Sequence, residues 1–451
     1  MLLVIVDRGS ALQFVVLHME VSTYPMLNEQ SIAAVNASVF AANPTWGKPL
    51  YDSYCFSRIP QTVLHTLTGE GDPGLPTDVL GDLPKRYEKV LLIWVDAFGW
   101  RFFERYADRY PFLKRFLEQD NAVVSKLTTQ FPSTTAAHST TMHSGVPVGI
   151  SGVYEWYYYE PLLERVICPL MYNFMGDKER NTLKNAGITP QQLFPNRSIY
   201  TDLGVYGIPS VITSHREYTP SPFGEVVCKG AKLRPIRTLA DSLIECSDAI
   251  LNSKEKGYFF LYIDSIDSIG HARGPSSPHF DAEVDVVFTA LDRLLYSALK
   301  GQVKDTLLLL TADHGQMEVT PQRLINLKTE IPQLESMAKR NSKNQMILLA
   351  GSPRDVFLHI KPERLDEAEA LIKQAVEGRA EVHRTARLID DGLFGAVSDV
   401  FRSRVGDLVV LSYDQEQAWW QNPNDPVSDF RGHHGGLTRA EMETHLLAMA
   451  L

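Results

Sequence analysis

The sequence predicts an α/β protein in which helices cover both faces of a mostly parallel central sheet, forming a three-layer sandwich. Near-continuous apolar runs at residues 90–95, 258–263 and 306–311 support this prediction. Such runs are typical of strands that are buried on both faces of a parallel sheet. Stretches with helical spacing lie between them. At residues 284–298, for example, apolar side chains recur on one helix face, as packing against a sheet requires.

The composition indicates an ordinary globular protein. Of the 451 residues, 44% are hydrophobic and 22% are charged, so we expect a large buried core and no extensive disorder. The net charge of −10 argues against a nucleic-acid-binding surface, which would be basic. Four cysteines lie far apart in the sequence, so neither a disulfide framework nor a thiolate zinc site is expected.

The N-terminal segment lacks the features of a targeting sequence. Asp7 and Arg8 interrupt its apolar stretch, and it has neither a basic leader nor an obvious small-residue cleavage site. No stretch approaches the roughly 20 apolar residues that a membrane-spanning helix needs. We therefore expect a cytoplasmic protein without a membrane segment. Its translation starts at Met1 or at Met19, because residues 1–18 show little structural pattern.

Four segments are expected along the chain, and they differ in composition and pattern. They are an N-terminal lead-in that wraps the core (residues 1–85), the main α/β core (86–320), an inserted α+β subdomain (321–428) and a C-terminal return to the core (429–451). Pro, Gly, Asn and Ser are frequent in the lead-in. The insertion has strand patterns at 356–360 and 408–411 and a helix pattern at 365–376. The C-terminal segment is expected to end in a helix, because Thr438 to Glu441 has a capping-box sequence.

Carboxylates and imidazoles follow the three apolar runs or lie in a late His-His-Gly-Gly stretch. They are Asp96, Asp267, His271, Asp313, His314 and His434. In open α/β sheets, ligands bind beyond the carboxyl ends of the strands, so we expect these side chains at one edge of the sheet. Three Asp and three His form a ligand set that is suited to two divalent metal ions.

Each cluster also has an ordinary structural explanation. A lone aspartate after a strand can cap the next helix, and an Asp and a His four residues apart can form a surface pair. The adjacent residues Asp313 and His314 are harder to explain in this way, because unpaired polar groups at the end of a buried strand are costly. For His433 and His434, the residue pattern alone does not indicate which one would be a ligand.

A hydroxyl-rich turn lies between the first two clusters and ends at Thr135. Small residues follow it and suit the start of a helix, where main-chain N–H groups favour an oxyanion. A hydroxyl group beside a metal ion is acidified and becomes a competent nucleophile, so Thr135 is the candidate catalytic residue. The alternative is that the turn only caps the helix, which can also apply to Ser133 or Thr134.

The order of these motifs resembles the alkaline phosphatase superfamily, and more closely its nucleotide pyrophosphatase/phosphodiesterase-like branch. The resemblance covers residues 88–316 and 430–451 and includes a Thr after a Pro, Asp-x-x-x-His, Asp-His-Gly and a late His-Gly. It implies an alkaline phosphatase-like fold and a metal-dependent hydrolase of phosphate esters. The nearest activity is that of a phosphodiesterase or nucleotide pyrophosphatase acting on a small phosphate ester or nucleotide.

The resemblance also implies a division of the ligands between two metal ions. One ion would bind Asp267, His271 and His434, and the other would bind Asp96, Asp313 and His314. Zn²⁺ suits such mixed ligands, and Mn²⁺ is the alternative. Thr135 would form a phosphothreonine intermediate beside both ions.

The sequence departs from this branch at one position near the nucleophile. His138 stands three residues after Thr135, where the branch carries an Asn that contacts a phosphate oxygen. This departure keeps a phosphomonoester or a phosphonate open as the substrate of the same site. A further alternative is a binding protein with a structural metal site and no activity. The aromatic run at residues 154–159 forms either a stacking wall for a base or aryl group or ordinary packing.

Overall fold

A computed structural model describes residues 3–6, 13–16, 26–422 and 429–451. The alternative start at Met19 lies outside these residues. The longer strands, in chain order, are β1 (Lys89–Val95), β2 (Ala122–Thr128), β3 (Ser210–His215), β4 (Lys232–Ile236), β5 (Gly257–Ile263), β6 (Thr306–Thr311), β7 (Leu349–Ser352), β8 (Asp355–Leu358), β9 (Ala380–Arg384), β10 (Leu408–Ser412) and β11 (Glu443–Ala450).

The helices that matter for the core and the site lie between these strands. They are α1 (Glu29–Ala37), α2 (Ile59–Thr68), α3 (Trp100–Tyr106), α4 (Pro111–Glu118), α5 (Thr135–Ser144), α6 (Leu239–Leu251), α7 (Ser265–Arg273), α8 (Pro278–Ala290) and α9 (Leu365–Ala375). The helix predicted from the apolar stripe at 284–298 is confirmed. It continues beyond α8 as a π-helical turn, Leu291–Tyr296, and a last helical turn, Ser297–Leu299.

Seven strands form the central sheet in the order β4-β3-β5-β1-β6-β11-β2. All pairings between β4 and β6 are parallel, whereas β11 runs antiparallel to both of its neighbours. The three apolar runs are β5, β1 and β6, which lie side by side in the middle of the sheet. The predicted mostly parallel sheet is therefore confirmed.

Side chains of β1 divide the core between the two faces of the sheet. Leu91, Ile93 and Val95 pack with α3, α4, α6 and α8 on one face. Val90, Leu92 and Trp94 pack with α2 on the opposite face. Because successive strand residues point to opposite faces, this alternation requires helices on both sides. The predicted three-layer α/β/α architecture follows directly from it.

Residues 349–412 contain a second, smaller sheet with the order β7-β8-β10-β9, in which all pairings are antiparallel. Helix α9 contributes Ala368 and Ile372 to the hydrophobic core beneath this sheet. The strand, helix and strand predicted for this part of the chain are confirmed. The four segment boundaries stay a prediction.

The helix predicted at the C-terminus is wrong. Only Arg439–Met442 is helical, and the following residues form β11 between β6 and β2. Residues 444–449 are buried without interruption, and an apolar run of this kind does not distinguish a strand from a buried helix. Glu441, the presumed capping residue, instead accepts hydrogen bonds from the Gly436 N–H and the Thr438 hydroxyl and pairs with Arg354.

Among the described residues, no helix has both the length and the apolar character needed to cross a membrane.

Candidate active site

The six predicted ligand residues lie at the carboxyl ends of the central strands. Asp96 follows β1, Asp267 and His271 lie on α7 after β5, and the adjacent Asp313 and His314 follow β6. His434 reaches the same edge of the sheet from a loop that precedes β11. The structure brings them together as two groups of three, one of Asp267, His271 and His434 and one of Asp96, Asp313 and His314.

The first group joins α7 to the late loop. Nε2 of His271 lies 3.1 Å from Nε2 of His434 and 3.3 Å from Oδ1 of Asp267. Nε2 of His434 lies 3.7 Å from the same carboxylate oxygen. His434, rather than His433, therefore points its Nε2 at the other two side chains.

The second group is fully buried. Nε2 of His314 lies 3.1 Å from Oδ2 of Asp313 and 3.6 Å from Oδ1 of Asp96. The ring of His314 stacks on the ring of His434 with a centroid separation of 3.7 Å. The two groups are thus neighbours in one site.

All three imidazoles are held so that Nε2 is free to bind a cation. In each ring Nδ1 lies 2.8–3.0 Å from a main-chain carbonyl oxygen. These carbonyls belong to Gly432 for His271, to Gly315 for His314 and to Ser133 for His434. Because a carbonyl oxygen only accepts, Nδ1 carries the proton and Nε2 keeps its lone pair.

Each of the buried carboxylates, Asp96 and Asp313, has one oxygen atom without a hydrogen-bond partner among the described residues. Oδ2 of Asp96 accepts a hydrogen bond from the Tyr262 hydroxyl, and Oδ1 of Asp313 accepts one from the Ala97 N–H at 3.2 Å. The remaining oxygens, Asp96 Oδ1 and Asp313 Oδ2, are buried and have no hydrogen-bond partner among the described residues. Unpaired buried oxygens are costly, and a cation would satisfy both of them. The donor set therefore fits divalent cations.

The pKa values of the candidate ligands are shifted in both directions. Burial raises the pKa of Asp96, and the charge of Asp313 raises it further. Burial also raises the pKa of Asp313, but His314 outweighs this effect, so the pKa of Asp313 lies below its usual value. Burial lowers the pKa of His434 well below its usual value. The shifts of Asp313 and His434 favour an ionised carboxylate and a neutral imidazole, which are the states that bind a divalent cation. Burial lowers the pKa of His314, but the charge of Asp313 outweighs burial and raises it. The raised pKa values of Asp96 and His314 favour their protonated forms.

Thr135 is the first residue of α5 and faces the second group. Its Oγ1 lies 3.2 Å from Nε2 of His314. Neither Ser133 nor Thr134 caps the helix. Thr134 occupies the position before the helix without a side-chain capping bond, and the Ser133 hydroxyl donates to the Gly436 carbonyl at 2.9 Å. The turn that carries Thr135 is thereby joined to the loop that carries His434.

His138 is buried on α5 and is fully hydrogen-bonded. Its Nε2 accepts from the Gln130 N–H at 2.9 Å, and its Nδ1 lies 2.7 Å from the Thr134 carbonyl oxygen. Both ring nitrogens are therefore engaged with the main chain. His138 has no free polar atom with which to hold a substrate.

A cavity of about 590 Å³ is lined by Thr135 and by four of the six candidate ligands, Asp96, Asp267, His271 and His434. The aromatic run 154–159 contributes to it only in part. Trp156 and Tyr157 line the cavity, whereas Tyr154 and Tyr158 are fully buried in a hydrophobic cluster. Tyr154 and Tyr158 thus take part in ordinary packing, whereas a stacking role stays a prediction for Trp156 and Tyr157.

A buried ion pair fixes the loop that carries His434. Nε and Nη2 of Arg354 each donate to a carboxylate oxygen of Glu441 at 2.9 Å. Glu441 Oε1 also accepts from the Gly436 N–H at 3.1 Å, and the Ser352 hydroxyl oxygen lies 3.1 Å from the His434 carbonyl oxygen. The smaller sheet, through the turn between β7 and β8, thus holds a candidate ligand in place.

Three polar residues at the site were not predicted from the sequence: Tyr262, Gln316 and Glu155. Gln316 donates to Oδ1 of Asp267 at 2.7 Å, and Glu155 lines the cavity. A signal existed for each of them. Tyr262 lies near the end of an apolar run, Gln316 follows the Asp-His-Gly motif, and Glu155 is the acid within the aromatic run.

The chain is similar to a known protein family in sequence and to known proteins in structure. A family model described as type I phosphodiesterase/nucleotide pyrophosphatase matches residues 90–437. No curated protein matches the sequence. Murine ectonucleotide pyrophosphatase/phosphodiesterase 5 has a similar structure, with a TM-score of 0.60, 18% identity, and coverage of 80% of this chain and 88% of its own.

Two further solved structures share this similarity. An inactive form of the murine protein in complex with AMP has a TM-score of 0.60 and 18% identity, and covers 80% of this chain and 87% of its own. The human protein 5 has a TM-score of 0.58 and 17% identity, with the same coverage of 80% and 87%. At such low identity, these likenesses establish the fold.

The prediction of a cytoplasmic location is wrong. The similar solved structures are of ectonucleotide pyrophosphatases/phosphodiesterases, and this similarity points away from the cytoplasm. The prediction rested on the absence of a leader and of a membrane segment, and the absence of such features does not determine the compartment of a protein.

Proposed function

The chain belongs to the type I phosphodiesterase/nucleotide pyrophosphatase family, and we propose that it cleaves a phosphodiester or pyrophosphate bond through an intermediate on Thr135. Membership of this family makes it a phosphoric ester hydrolase that acts on small nucleotides or phosphate esters. The observation that carries the proposal is the position of the Thr135 hydroxyl, 3.2 Å from His314 and beside two groups of candidate metal ligands.

The family is metal-dependent, and each group offers three ligand atoms to one ion. In this proposal the ions are held by Asp267, His271 and His434 and by Asp96, Asp313 and His314. Divalent cations bound there would stabilise charge on the phosphoryl oxygens and favour the deprotonated threonine hydroxyl. Zn²⁺ suits the mixed carboxylate and imidazole ligands, and Mn²⁺ is the alternative.

The steps that the protein itself performs follow from the position of Thr135. The Thr135 hydroxyl gives up its proton to solvent, and its oxygen attacks the phosphorus atom in line with the leaving group and forms an O–P bond. The O–P bond to the leaving group breaks, and the leaving group takes up a proton from solvent. The N-terminus of α5 presents main-chain N–H groups that favour a phosphoryl oxygen at this point. Water then attacks the phosphothreonine, the O–P bond to Thr135 breaks, and a proton of the water restores the hydroxyl.

Replacement of the proposed nucleophile provides the test. We expect Thr135→Ala to lower kcat on bis(4-nitrophenyl) phosphate by roughly 10³-fold or more, because the substitution removes the oxygen that attacks phosphorus. Metal content should stay at about two ions per chain. Thr140→Val is the matched control. It lies on the same helix, and its hydroxyl donates to the Ala136 carbonyl at 2.8 Å. Normal turnover by Thr135→Ala would reject the proposal.

The same assay separates diesters from monoesters and phosphonates. A phosphomonoester or phosphonate substrate was kept open only because His138 replaces the Asn of the family branch. Both ring nitrogens of His138 are hydrogen-bonded to the main chain. The AMP bound to the murine relative supports a nucleotide substrate for this chain as well. A kcat/KM for 4-nitrophenyl phosphate well above that for the diester would rule out the diesterase assignment.

A further inference from the structure

Glu155 is a buried acid in the cavity, and the mechanism above does not use it. The residue is 0% exposed and lines the same cavity as Thr135. Its Oε2 accepts a hydrogen bond from the Trp156 N–H. Its Oε1 is buried and has no hydrogen-bond partner among the described residues. A buried polar atom without a partner lowers stability, and such an atom beside a substrate cavity indicates a group that a ligand completes.

The surroundings of Glu155 favour its neutral form. The titratable groups that interact with it are His314, Asp355, Tyr154, Tyr157 and Cys168. No ion pair joins it to a Lys or Arg in the part of the chain that the structure describes. Asp355 takes two hydrogen bonds from Ser352, at 3.2 Å from the N–H and 2.6 Å from the hydroxyl. Burial raises the pKa of Glu155 to about 8. Its carboxyl group is therefore a hydrogen-bond donor at neutral pH.

The position of Glu155 relative to the nucleophile determines what this donor can reach. Glu155 lies beside the side chain of Thr134, the residue immediately before Thr135. His138, which is buried on α5 three residues after Thr135, has both ring nitrogens bound to main-chain atoms. Glu155, unlike His138, keeps one polar atom, Oε1, without a hydrogen-bond partner among the described residues.

We propose that Glu155 is a catalytic residue whose carboxyl O–H donates a hydrogen bond to a phosphoryl oxygen of the substrate. The inference rests on the function proposed above. During phosphoryl transfer, negative charge spreads over three equatorial oxygens. A fixed donor in a buried site stabilises this charge without reorganisation. An ionised carboxylate at the same place would instead repel the phosphoryl group.

Two substitutions separate a donor from an ionised carboxylate. Glu155→Gln keeps a neutral donor of the same length, and Glu155→Leu keeps the volume but removes the donor. We expect Glu155→Gln to keep kcat/KM within about threefold of the wild type and Glu155→Leu to lose about 10²- to 10³-fold, as happens when one oxyanion donor is removed. Metal content and melting temperature, measured on both variants, identify any loss that arises from misfolding.

The pH profile gives a readout that a structural role would not change. Above pH of about 8 the wild-type kcat/KM should fall as Glu155 ionises, because the donor is lost and a charge appears. This alkaline limb should be absent in Glu155→Gln. The inference is overturned if Glu155→Gln is as inactive as Glu155→Leu, if Glu155→Leu is fully active, or if the alkaline limb persists in Glu155→Gln. Normal turnover by Thr135→Ala would instead overturn the proposed function.

Discussion

Substitution of Arg354 by Met tests how the loop that carries His434 is held. Arg354 and Glu441 are both 0% exposed and are joined by two hydrogen bonds of 2.9 Å. The guanidinium also donates to the Tyr413 carbonyl at 2.6 Å. It donates to the Glu416 carbonyl as well, so its removal leaves the Glu441 carboxylate buried without a cation and leaves two carbonyls without this donor.

The expected magnitude follows from this geometry. Loss of one partner from a buried ion pair costs about 3–5 kcal/mol, mainly because the other charge stays buried and uncompensated. We therefore expect Arg354→Met to lower the free energy of unfolding by about that amount, as measured by denaturant titration. The double variant Arg354→Met/Glu441→Leu removes both charges, so it should cost less than the two single substitutions together. Arg364→Met, at an exposed ion pair with Glu367, is the control and should change stability little.

The pH dependence of the same variants gives a second test. Burial raises the pKa of Glu441, but Arg354 and the surrounding hydrogen bonds outweigh burial, and the pKa lies below its usual value. A carboxyl whose pKa is lowered on folding adds stability above its unfolded pKa, and that stability is lost as pH falls through the folded pKa. Wild-type stability should thus fall in acid, and this contribution should be missing in Arg354→Met. The reasoning would be refuted if the losses of unfolding free energy caused by Arg354→Met and Glu441→Leu were strictly additive in the double variant. It would also be refuted if Arg354→Met lowered the unfolding free energy by less than about 1 kcal/mol.

The other predictions concern the candidate ligands and their supports. Asp96→Asn and His271→Ala should each reduce the metal content from about two ions per chain to about one, because the two lie in different groups; loss of no metal by either would contradict the assignment. Gly435→Ala places a Cβ 2.6 Å from Oδ1 of Asp355 at a φ of +128°, so it should lower kcat/KM at least about tenfold by displacing His434; unchanged kinetics would contradict this. His138→Leu removes two buried hydrogen bonds and should cost about 1–3 kcal/mol for each group left unpaired, without changing the preference between diester and monoester; a changed preference would show that His138 contacts the substrate.

The sequence predicted the middle of the sheet because β1, β5 and β6 are buried on both faces and therefore appear as continuous apolar runs. Strand β11 has the same character but was predicted as a helix. Its strand form depends on hydrogen bonds to β6 and β2, which lie far away in the sequence. The capping-box sequence before it was misleading, because Glu441 pairs with Arg354 instead of capping a helix.

The candidate ligands could be proposed from the sequence because parallel strands bring their carboxyl ends to one edge of the sheet. The supporting groups were not proposed, because the sequence gives only weak signals for them. For Glu155 the sequence shows an acid within an aromatic run, but not that the residue is buried or that its Oε1 has no partner among the described residues. The role of Arg354 likewise depends on a contact across 87 residues of sequence.

The proposed function depends most directly on Thr135 being the nucleophile that attacks phosphorus. Acid quenching of the metal-loaded protein during turnover of bis(4-nitrophenyl) phosphate, followed by peptide mass spectrometry, would locate the covalent intermediate. We predict that the phosphoryl group of the substrate is found on Thr135 and is absent in Thr135→Ala. A phosphoryl group on another residue, or turnover by Thr135→Ala at the wild-type rate, would contradict the account.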